Sequence, residues 1–169
     1  EVKILKVIVF GSTGLVGSAV MRKFNSFPES YEVVGAKRSE ADLFSINETK
    51  EFILKNSPNL IVNCAAKVGG IVANNTNRTE FILENLKINI NILESIIQNP
   101  DISLINLGSS CIYPLNAENP IKETSLMNGK LEPTNSPYAM AKLTAIEMGD
   151  ALKQQYGHKI INLMPTNLY

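Results

Sequence analysis

Tyr138 and Lys142 stand four residues apart, a spacing that places two side chains on the same face of a helix. A phenol has a pKa of about 10 and is a poor acid–base catalyst at neutral pH, but a neighbouring ammonium favours its ionised form and lowers that pKa. Ser109, which follows a predicted strand, can hydrogen-bond a carbonyl oxygen and stabilise the charge that develops there during hydride transfer. Together these residues predict a site for hydride and proton transfer at a carbonyl group.

A glycine-rich turn follows the first predicted strand and begins the first predicted helix. Its spacing, Gly-x-x-Gly-x-x-Gly, is a variant of the dinucleotide-binding pattern, in which the glycines allow a tight turn, close approach of the pyrophosphate and close helix–strand packing. The helix N-terminus then offers unpaired N–H groups and a partial positive charge to phosphates. The residues predicted to bind a dinucleotide are therefore Gly11, Ser12, Thr13, Gly14, Leu15, Val16 and Gly17.

The end of the second predicted strand determines which dinucleotide is favoured. An acidic residue there is typical of NAD-binding proteins, whereas an arginine accommodates the 2′-phosphate of NADP. This chain has Arg38 at that place, and a guanidinium can bond two phosphate oxygens at once. Glu40 and Asp42 lie close by in sequence, but Arg38 makes NADP(H) the predicted cofactor.

Apolar strand-like segments alternate with longer helical patterns, which is typical of βαβ units. The sequence therefore predicts an α/β fold: a Rossmann-like, doubly wound parallel sheet in a three-layer α/β/α arrangement. The predicted strands are residues 2–10, 31–37, 59–65, 102–107 and 159–164. The predicted helices are residues 14–27, 46–56, 74–98 and 137–156, and residues 116–135 are predicted to form a surface loop.

The composition excludes several classes of function. The 169 residues suffice for one domain, and 16 Lys and Arg balance 16 Asp and Glu. Zero net charge gives no electrostatic argument for nucleic acid or an anionic membrane as a partner. No apolar run approaches the roughly 18 residues of a membrane span.

The cysteines and the histidine are few and widely spaced. Cys64 and Cys111 make no disulfide framework, and one histidine, His158, with no Cys-x-x-Cys pair, predicts no metal site. A reducing, cytoplasmic setting is the economical interpretation. We expect Cys64 in the core and His158 on the surface, away from the ligand crevice.

Four further blocks carry a resemblance to a known family: AAKVGGIVANNT (65–76), LGSSCIYP (107–114), LEPTNSPYA (131–139) and MPTNLY (164–169). With the glycine turn and the Tyr138–Lys142 pair, they make the chain similar to the extended short-chain dehydrogenases/reductases. Within these, it resembles the GDP-L-fucose synthases, which epimerise GDP-4-keto-6-deoxy-D-mannose at C3 and C5 and reduce it at C4 with NADPH. The resemblance spans the whole chain.

The resemblance implies roles for individual residues. Tyr138 matches the proton donor and acceptor, with Lys142 and Ser109 as its partners, and Cys111 matches the base of the epimerisation. A thiol suits that step because protons next to a ketone are acidic and a thiol pKa can be tuned to remove them. Lys67 faces either a ligand or solvent. The segments that match the NADP site, along with Lys142, are Leu107, Gly108, Ser109 and Ser110, and Pro165, Thr166, Asn167 and Leu168.

Family members are about twice as long, so the resemblance implies that most of the GDP-sugar site lies in a C-terminal substrate domain outside these residues. Residues 1–169 are then the NADP-binding half, with weak cofactor binding at best and little turnover alone. The family also implies a homodimer formed through helices 74–98 and 137–156. Because the chain stops directly after its last predicted strand, we expect exposed apolar surface there.

Two other interpretations stay open. One is a nucleotide-sugar epimerase or dehydratase that retains bound NAD, against which Arg38 and the block at 65–70 argue. The other is a non-catalytic NADP-sensing module, a class that commonly loses the tyrosine or the lysine of the catalytic pair. Here Ser109, Tyr138 and Lys142 are all present.

Overall fold

A five-stranded parallel sheet with helices on both faces forms the protein, in a computed structural model that describes residues 4–168. The strands are β1 (Leu5–Phe10), β2 (Tyr31–Ala36), β3 (Leu60–Asn63), β4 (Ser103–Leu107) and β5 (Ile160–Leu163). The helices are α1 (Leu15–Asn25), α2 (Ile46–Asn56), α3 (Ile71–Thr76), α4 (Arg78–Ile96) and α5 (Ser136–Tyr156). Residues 1–3, where the first predicted strand begins, and Tyr169, the last residue of the fourth block, lie outside the described residues.

The sheet has the strand order β2-β1-β3-β4-β5. β1 pairs in parallel with β2 on one side, where Leu5 lies opposite Tyr31, and with β3 on the other, where Val7 lies opposite Leu60. The chain leaves β1 towards β2 and later returns to the opposite side, so the carboxyl ends of β1 and β3 border the crevice where open α/β sheets bind ligands. The predicted Rossmann-like fold is confirmed.

The side chains of β1 alternate between two cores, one on each face of the sheet. Ile8 and Phe10 pack in the larger core, which α2, α4 and α5 cover. Val7 and Val9 pack in the smaller core against α1. Burial on both faces explains the uninterrupted apolar run at the end of β1. The three-layer arrangement is therefore also confirmed.

Two local predictions are wrong. The helix predicted over residues 74–98 is divided into α3 and α4 at Asn77, whose φ of −104° and ψ of 48° are not helical. Asparagine favours such interruptions because its side chain competes for backbone hydrogen bonds. His158 is buried, at 4% exposure, with its Nε2 atom 3.3 Å from the carbonyl oxygen of Ile97 at the end of α4. An imidazole can satisfy a helix C-terminal carbonyl, and this contact holds it inside.

The last strand, β5, exposes apolar side chains on one face. Ile161 is 57% exposed and Leu163 is 46% exposed, whereas Ile160 on the other face is buried beside Gly149 of α5. The exposed apolar surface expected at this strand is present. Within residues 4–168, no helix is long and apolar enough to cross a bilayer.

Candidate cofactor and catalytic site

The glycine turn brings β1, α1 and the loop after β3 into direct backbone contact. Gly11 has a φ of +71°, a left-handed conformation that favours glycine, and a Cβ atom on it would lie 2.8 Å from the backbone nitrogen of Ala65. A Cβ atom on Gly17 would overlap the carbonyl oxygen of Gly11. These two positions therefore need glycine for conformation and for space.

Replacing Gly17 by Ala is expected to lower the free energy of unfolding by about 1–3 kcal/mol, the usual cost of forcing an extra carbon into a packed site. The reason is that the new methyl group would displace Gly11 and the turn it forms. Urea denaturation followed by circular dichroism measures this change. Gly70→Ala is the matched control because no atom lies within 4 Å of a Cβ at that position. Equal stability of the two variants would contradict the packing argument.

The N-terminus of α1 is suited to bind phosphate. The first N–H groups of a helix have no partner within it, and Gly14, which precedes the first turn, offers no side-chain cap. No acidic residue occupies that first turn. Unpaired donors, the partial positive charge of the helix end and a turn without Cβ atoms together fit the diphosphate of a dinucleotide.

A cavity of about 530 Å³ opens beside this turn. Its walls come from the glycine turn, the segment after β2, the loop after β3 and the inner face of α4. Among the residues predicted to bind a dinucleotide, those that line it are Gly11, Thr13, Gly14, Leu15, Val16, Gly17 and Arg38.

Two residues of that prediction have further contacts that define their roles. The guanidinium of Arg38 lies over the ring of Phe44, with 4.9 Å between its carbon and the ring centroid, and both residues line the cavity. This stacking holds the cation in place at the wall. Ser12 does not line the cavity. Its hydroxyl instead donates to the carbonyl oxygen of Ala36 at 3.2 Å, which joins the turn to β2.

Helix α5 places Tyr138 and Lys142 together beside the end of β4. The ammonium of Lys142 is buried, donates to the carbonyl oxygen of Leu107 at 2.8 Å and lies 5.7 Å from the centroid of the Tyr138 ring. Ser109 follows two residues after Leu107 and accepts a hydrogen bond from the backbone N–H of Cys111 at 3.4 Å. The structure therefore gathers Ser109, Cys111, Tyr138 and Lys142 into one cluster.

Burial shifts the proton affinities of this cluster. It raises the pKa of Tyr138 to about 12, with the Cys111 thiolate acting in the same direction and the Ser109 hydroxyl acting against it. The expectation that a neighbouring ammonium lowers this pKa is therefore wrong for the structure, because burial of the phenol outweighs it. It lowers the pKa of Lys142 to about 8. Burial also raises the pKa of the Cys111 thiol, an effect that Ser109 and the Lys142 ammonium oppose. At neutral pH the phenol is thus protonated and able to donate to an oxygen.

Cys64 lies between the cavity and the cluster of Ser109, Cys111, Tyr138 and Lys142. It lines the cavity and is half-buried, so the expectation that it belongs to the core describes only part of its surroundings. Burial raises the pKa of its thiol to about 11, and the Lys142 ammonium opposes this. Lys142 is therefore electrostatically coupled to a residue of the cavity wall.

The segments matched to the NADP site lie at different places. Gly108 donates to the carbonyl oxygen of Leu163 at 2.7 Å, which joins the ends of β4 and β5. The segment 107–110 contributes Ser109 to the cluster with Cys111, Tyr138 and Lys142, and it does not line the cavity beside the glycine turn. Residues 165–168 follow β5 without regular secondary structure, and they are not among the residues that line that cavity either.

An asparagine network that sequence reasoning missed crosses the sheet beneath the site. Asn63, Asn106 and Asn162 occupy paired positions on β3, β4 and β5. The Asn63 amide donates to Asn106 at 2.9 Å, and the Asn106 amide donates to Asn162 at 3.4 Å. Asn63 also accepts from the backbone N–H of Ala65 at 3.0 Å, which shapes the loop after β3. The sequence feature that could have indicated this network is an asparagine near the end of each of the three strands.

A second missed group orients the start of α5. Arg78 donates to the carbonyl oxygen of Pro133 at 2.9 Å and to the hydroxyl of Ser136 at 3.2 Å. The Glu132 carboxylate accepts from the hydroxyl and the backbone N–H of Thr134. These bonds lower the pKa of Glu132. The segment before Tyr138 is thereby tied to the first turn of α4.

The comparison with protein-family models matches residues 7–169 to the NAD dependent epimerase/dehydratase family. The chain belongs to this family. The family match covers the glycine turn, the cavity and the cluster of Ser109, Cys111, Tyr138 and Lys142, since all of their residues lie between Phe10 and Lys142.

Individual relatives within this family are more specific. A GDP-L-fucose synthase from Sinorhizobium fredii is 44% identical over 164 residues, which are 97% of this chain and 52% of that protein. The structure of a GDP-D-glycero-L-gluco-heptose synthase from Campylobacter jejuni, solved in the presence of NADPH, is 31% identical with a TM-score of 0.92, over 98% of this chain and 48% of that one. The structure of a GDP-L-fucose synthetase from Naegleria fowleri bound to NADP is 28% identical with a TM-score of 0.88, and the match covers 97% of this chain and 51% of that one. The chain spans about half the length of these relatives.

Proposed function

We propose that these residues form the NADP-binding domain of an enzyme that converts GDP-4-keto-6-deoxy-D-mannose to GDP-L-fucose by 3,5-epimerisation and NADPH-dependent 4-reduction. The observation that carries the proposal is the cluster of Ser109, Cys111, Tyr138 and Lys142 beside a cavity with a phosphate-binding helix end. The GDP-L-fucose synthases among its relatives support the choice of substrate.

NADP(H) fits the residues present. The turn at Gly11 and Gly17 leaves no room for a Cβ atom, the first turn of α1 has free donors, and Arg38 is stacked at the wall where a 2′-phosphate would bind. When bound, the reduced nicotinamide supplies a hydride to the carbonyl carbon. Relatives of known structure hold NADP or were solved with NADPH, which supports this cofactor.

In the reduction, the chain's own residues supply a proton and stabilise charge. Ser109 orients the C4 carbonyl oxygen, and Tyr138 gives its phenolic proton to that oxygen as negative charge develops there. The raised pKa of Tyr138 suits a donor because the phenol is protonated at neutral pH. The Lys142 ammonium, which lies over the Tyr138 ring, stabilises the phenolate that remains.

In the epimerisation, Cys111 removes a proton from a carbon next to the C4 ketone. An acid supplied by the C-terminal substrate domain then gives a proton to the resulting enolate on the opposite face, which inverts that carbon. Burial raises the pKa of the Cys111 thiol, and the nearby Lys142 ammonium opposes this by favouring the thiolate, the form that can accept a proton. The base is therefore formed within the same cluster that performs the reduction.

The remaining parts of the proposal concern assembly. The GDP-sugar-binding groups lie in a C-terminal substrate domain, consistent with relatives about twice as long as these residues. Two copies pair through α4 and α5, where Leu83, Ile90 and Met140 expose apolar surface at 49%, 40% and 43%. Both cysteines are free thiols, which suits a reducing, cytoplasmic setting.

Arg38→Ala is expected to weaken NADPH binding about tenfold and to leave NADH binding within about twofold, because a charge-assisted bond to the 2′-phosphate is lost. Equilibrium titrations of NADPH fluorescence and NADH fluorescence measure the two affinities. Arg22→Ala is the matched control, since Arg22 is exposed on α1 and does not line the cavity. Equal affinities of the unmodified protein for NADPH and NADH, or NAD retained through purification, would favour an NAD-dependent epimerase or dehydratase instead.

A further inference from the structure

The loop after β3 is held by a single buried side chain of α4. Asn85, 1% exposed, accepts the backbone N–H of Lys67 at 2.9 Å and donates to the backbone carbonyl oxygen of the same residue at 3.0 Å. A third bond, to the carbonyl oxygen of Phe81 at 2.7 Å, fixes the amide itself. Both backbone groups of Lys67 are thus paired as they would be in a strand, so its side chain leaves the loop in a defined direction.

This direction brings Lys67 to the cavity that contains the phosphate-binding turn. Ala65 packs against Gly11 so closely that a Cβ atom on Gly11 would lie 2.8 Å from its nitrogen. Two residues further along, the Lys67 backbone is at most about 7 Å away, a distance that a lysine side chain can cover. Lys67 lines the same cavity as Gly11 and Gly17.

The ammonium of Lys67 takes part in only one weak ion pair among the described residues. Its ammonium lies 3.9 Å from the carboxylate of Glu84, and the two side chains are 44% and 31% exposed. An ion pair of this kind contributes about 0–1 kcal/mol, so a ligand with two negative charges can replace the carboxylate. The other cations of the cavity wall, Lys37 and Arg38, belong to the segment after β2.

We propose that Lys67 binds the diphosphate of a nucleotide held at the N-terminus of α1. Asn85 sets the position of Lys67, and Glu84 holds its ammonium until the diphosphate takes that place. This rests on the proposed dinucleotide site and adds a binding residue to it. The diphosphate belongs to the cofactor, since Lys67 and the glycine turn share one cavity.

The test compares affinities for NADPH, ADP-ribose and adenosine 2′-monophosphate in the unmodified protein and in Lys67→Met, measured by calorimetry. Lys67→Met is expected to weaken NADPH and ADP-ribose binding about tenfold each and to leave the monophosphate unchanged, because only the first two carry a diphosphate. Lys67→Arg should restore most of the affinity. Lys87→Met, on an exposed position of α4 outside the cavity, is the matched control.

Glu84→Gln is expected to change NADPH affinity in the direction opposite to Lys67→Met. Removing the competing carboxylate should tighten NADPH binding by about twofold or more and leave the unfolding midpoint unchanged, since the Lys67–Glu84 ion pair is exposed. Weaker NADPH binding by Glu84→Gln would overturn the exchange of partners.

The remaining outcomes separate this inference from the proposed function. Normal NADPH binding by Lys67→Met, or an equal loss for all three ligands, would overturn the role of Lys67 alone. GDP is titrated in parallel. If Lys67→Met weakened the binding of GDP alone, the assignment of the diphosphate to the cofactor would be overturned, and Lys67 would bind the sugar nucleotide instead. Absence of NADPH binding in the unmodified protein would overturn the proposed function as well.

Discussion

Tyr138→Phe lowers the rate of ketone reduction by about 10³-fold, because general acid catalysis by a positioned side chain contributes on the order of 10²–10⁴. The phenol, whose pKa burial raises to about 12, is the proposed proton donor of the cluster, and phenylalanine keeps the ring but lacks the hydroxyl. Packing of the ring against Phe81, at 6.4 Å between centroids, is preserved. NADPH affinity is therefore expected to stay within about threefold. Single-turnover loss of NADPH absorbance measures the reduction.

The matched control is Tyr156→Phe, which removes a hydroxyl from an exposed tyrosine at the far end of the same helix. It should reduce the ketone at the unmodified rate. If Tyr138→Phe retained more than about a tenth of that rate, Tyr138 would not be the donor, and a non-catalytic NADP-sensing module would gain support.

The pH dependence of the reduction follows from the same cluster. In the proposed mechanism the Lys142 ammonium stabilises the phenolate, and burial lowers the pKa of Lys142 to about 8. As the pH rises through about 8, this ammonium loses its proton, so the rate of reduction is expected to fall. The Tyr138 phenol stays protonated over this range. A rate that rises between pH 7 and pH 9 would contradict the role given to Lys142.

Cys111→Ser is expected to slow epimerisation by about 100-fold or more while reduction continues. A serine hydroxyl is a far weaker base than a thiolate, and its ionisation is not assisted to a useful degree by Lys142. Serine retains a similar size, so the turn at Ser110–Ile112 and its cap, Ser109, should be preserved. The measurement is incorporation of solvent deuterium at C3 and C5 of the sugar, followed by NMR.

The product of Cys111→Ser identifies the defect. If Cys111 is the base, the variant should oxidise NADPH and release a 4-reduced sugar in which C3 and C5 keep their original configuration. Equal deuterium incorporation by the unmodified protein and the variant would show that another group abstracts the protons.

The parts of the site that depend on local sequence could be predicted. The glycine turn is a contiguous segment whose conformation follows from Gly11 and Gly17, and the Tyr138–Lys142 pair follows from helical spacing. Strands β1 and β3 were predictable because their apolar runs are buried on both faces. The interruption at Asn77 could not be predicted in this way, because the apolar pattern continues through it and only the backbone angles reveal the break.

Contacts between distant segments could not be predicted from the sequence. The pairing of Asn63 with Asn106 depends on the register of β3 and β4, and the bonds from Asn85 to Lys67 depend on how α4 lies against a loop. Buried polar groups must find partners, so an asparagine near a strand end signals a network without naming its members. The burial of His158 could not be predicted for the same reason, since it depends on a contact with the carbonyl oxygen of the distant residue Ile97.

The most direct test is conversion of GDP-4-keto-6-deoxy-D-mannose in D₂O with NADPH, by the protein that carries these residues together with its substrate domain. The expected result is GDP-L-fucose with deuterium at C3 and C5, with one NADPH oxidised for each product molecule. The product is resolved by NMR and its mass. Retention of the unaltered keto sugar with no oxidation of NADPH, by a protein shown to bind NADPH, would contradict the proposed function.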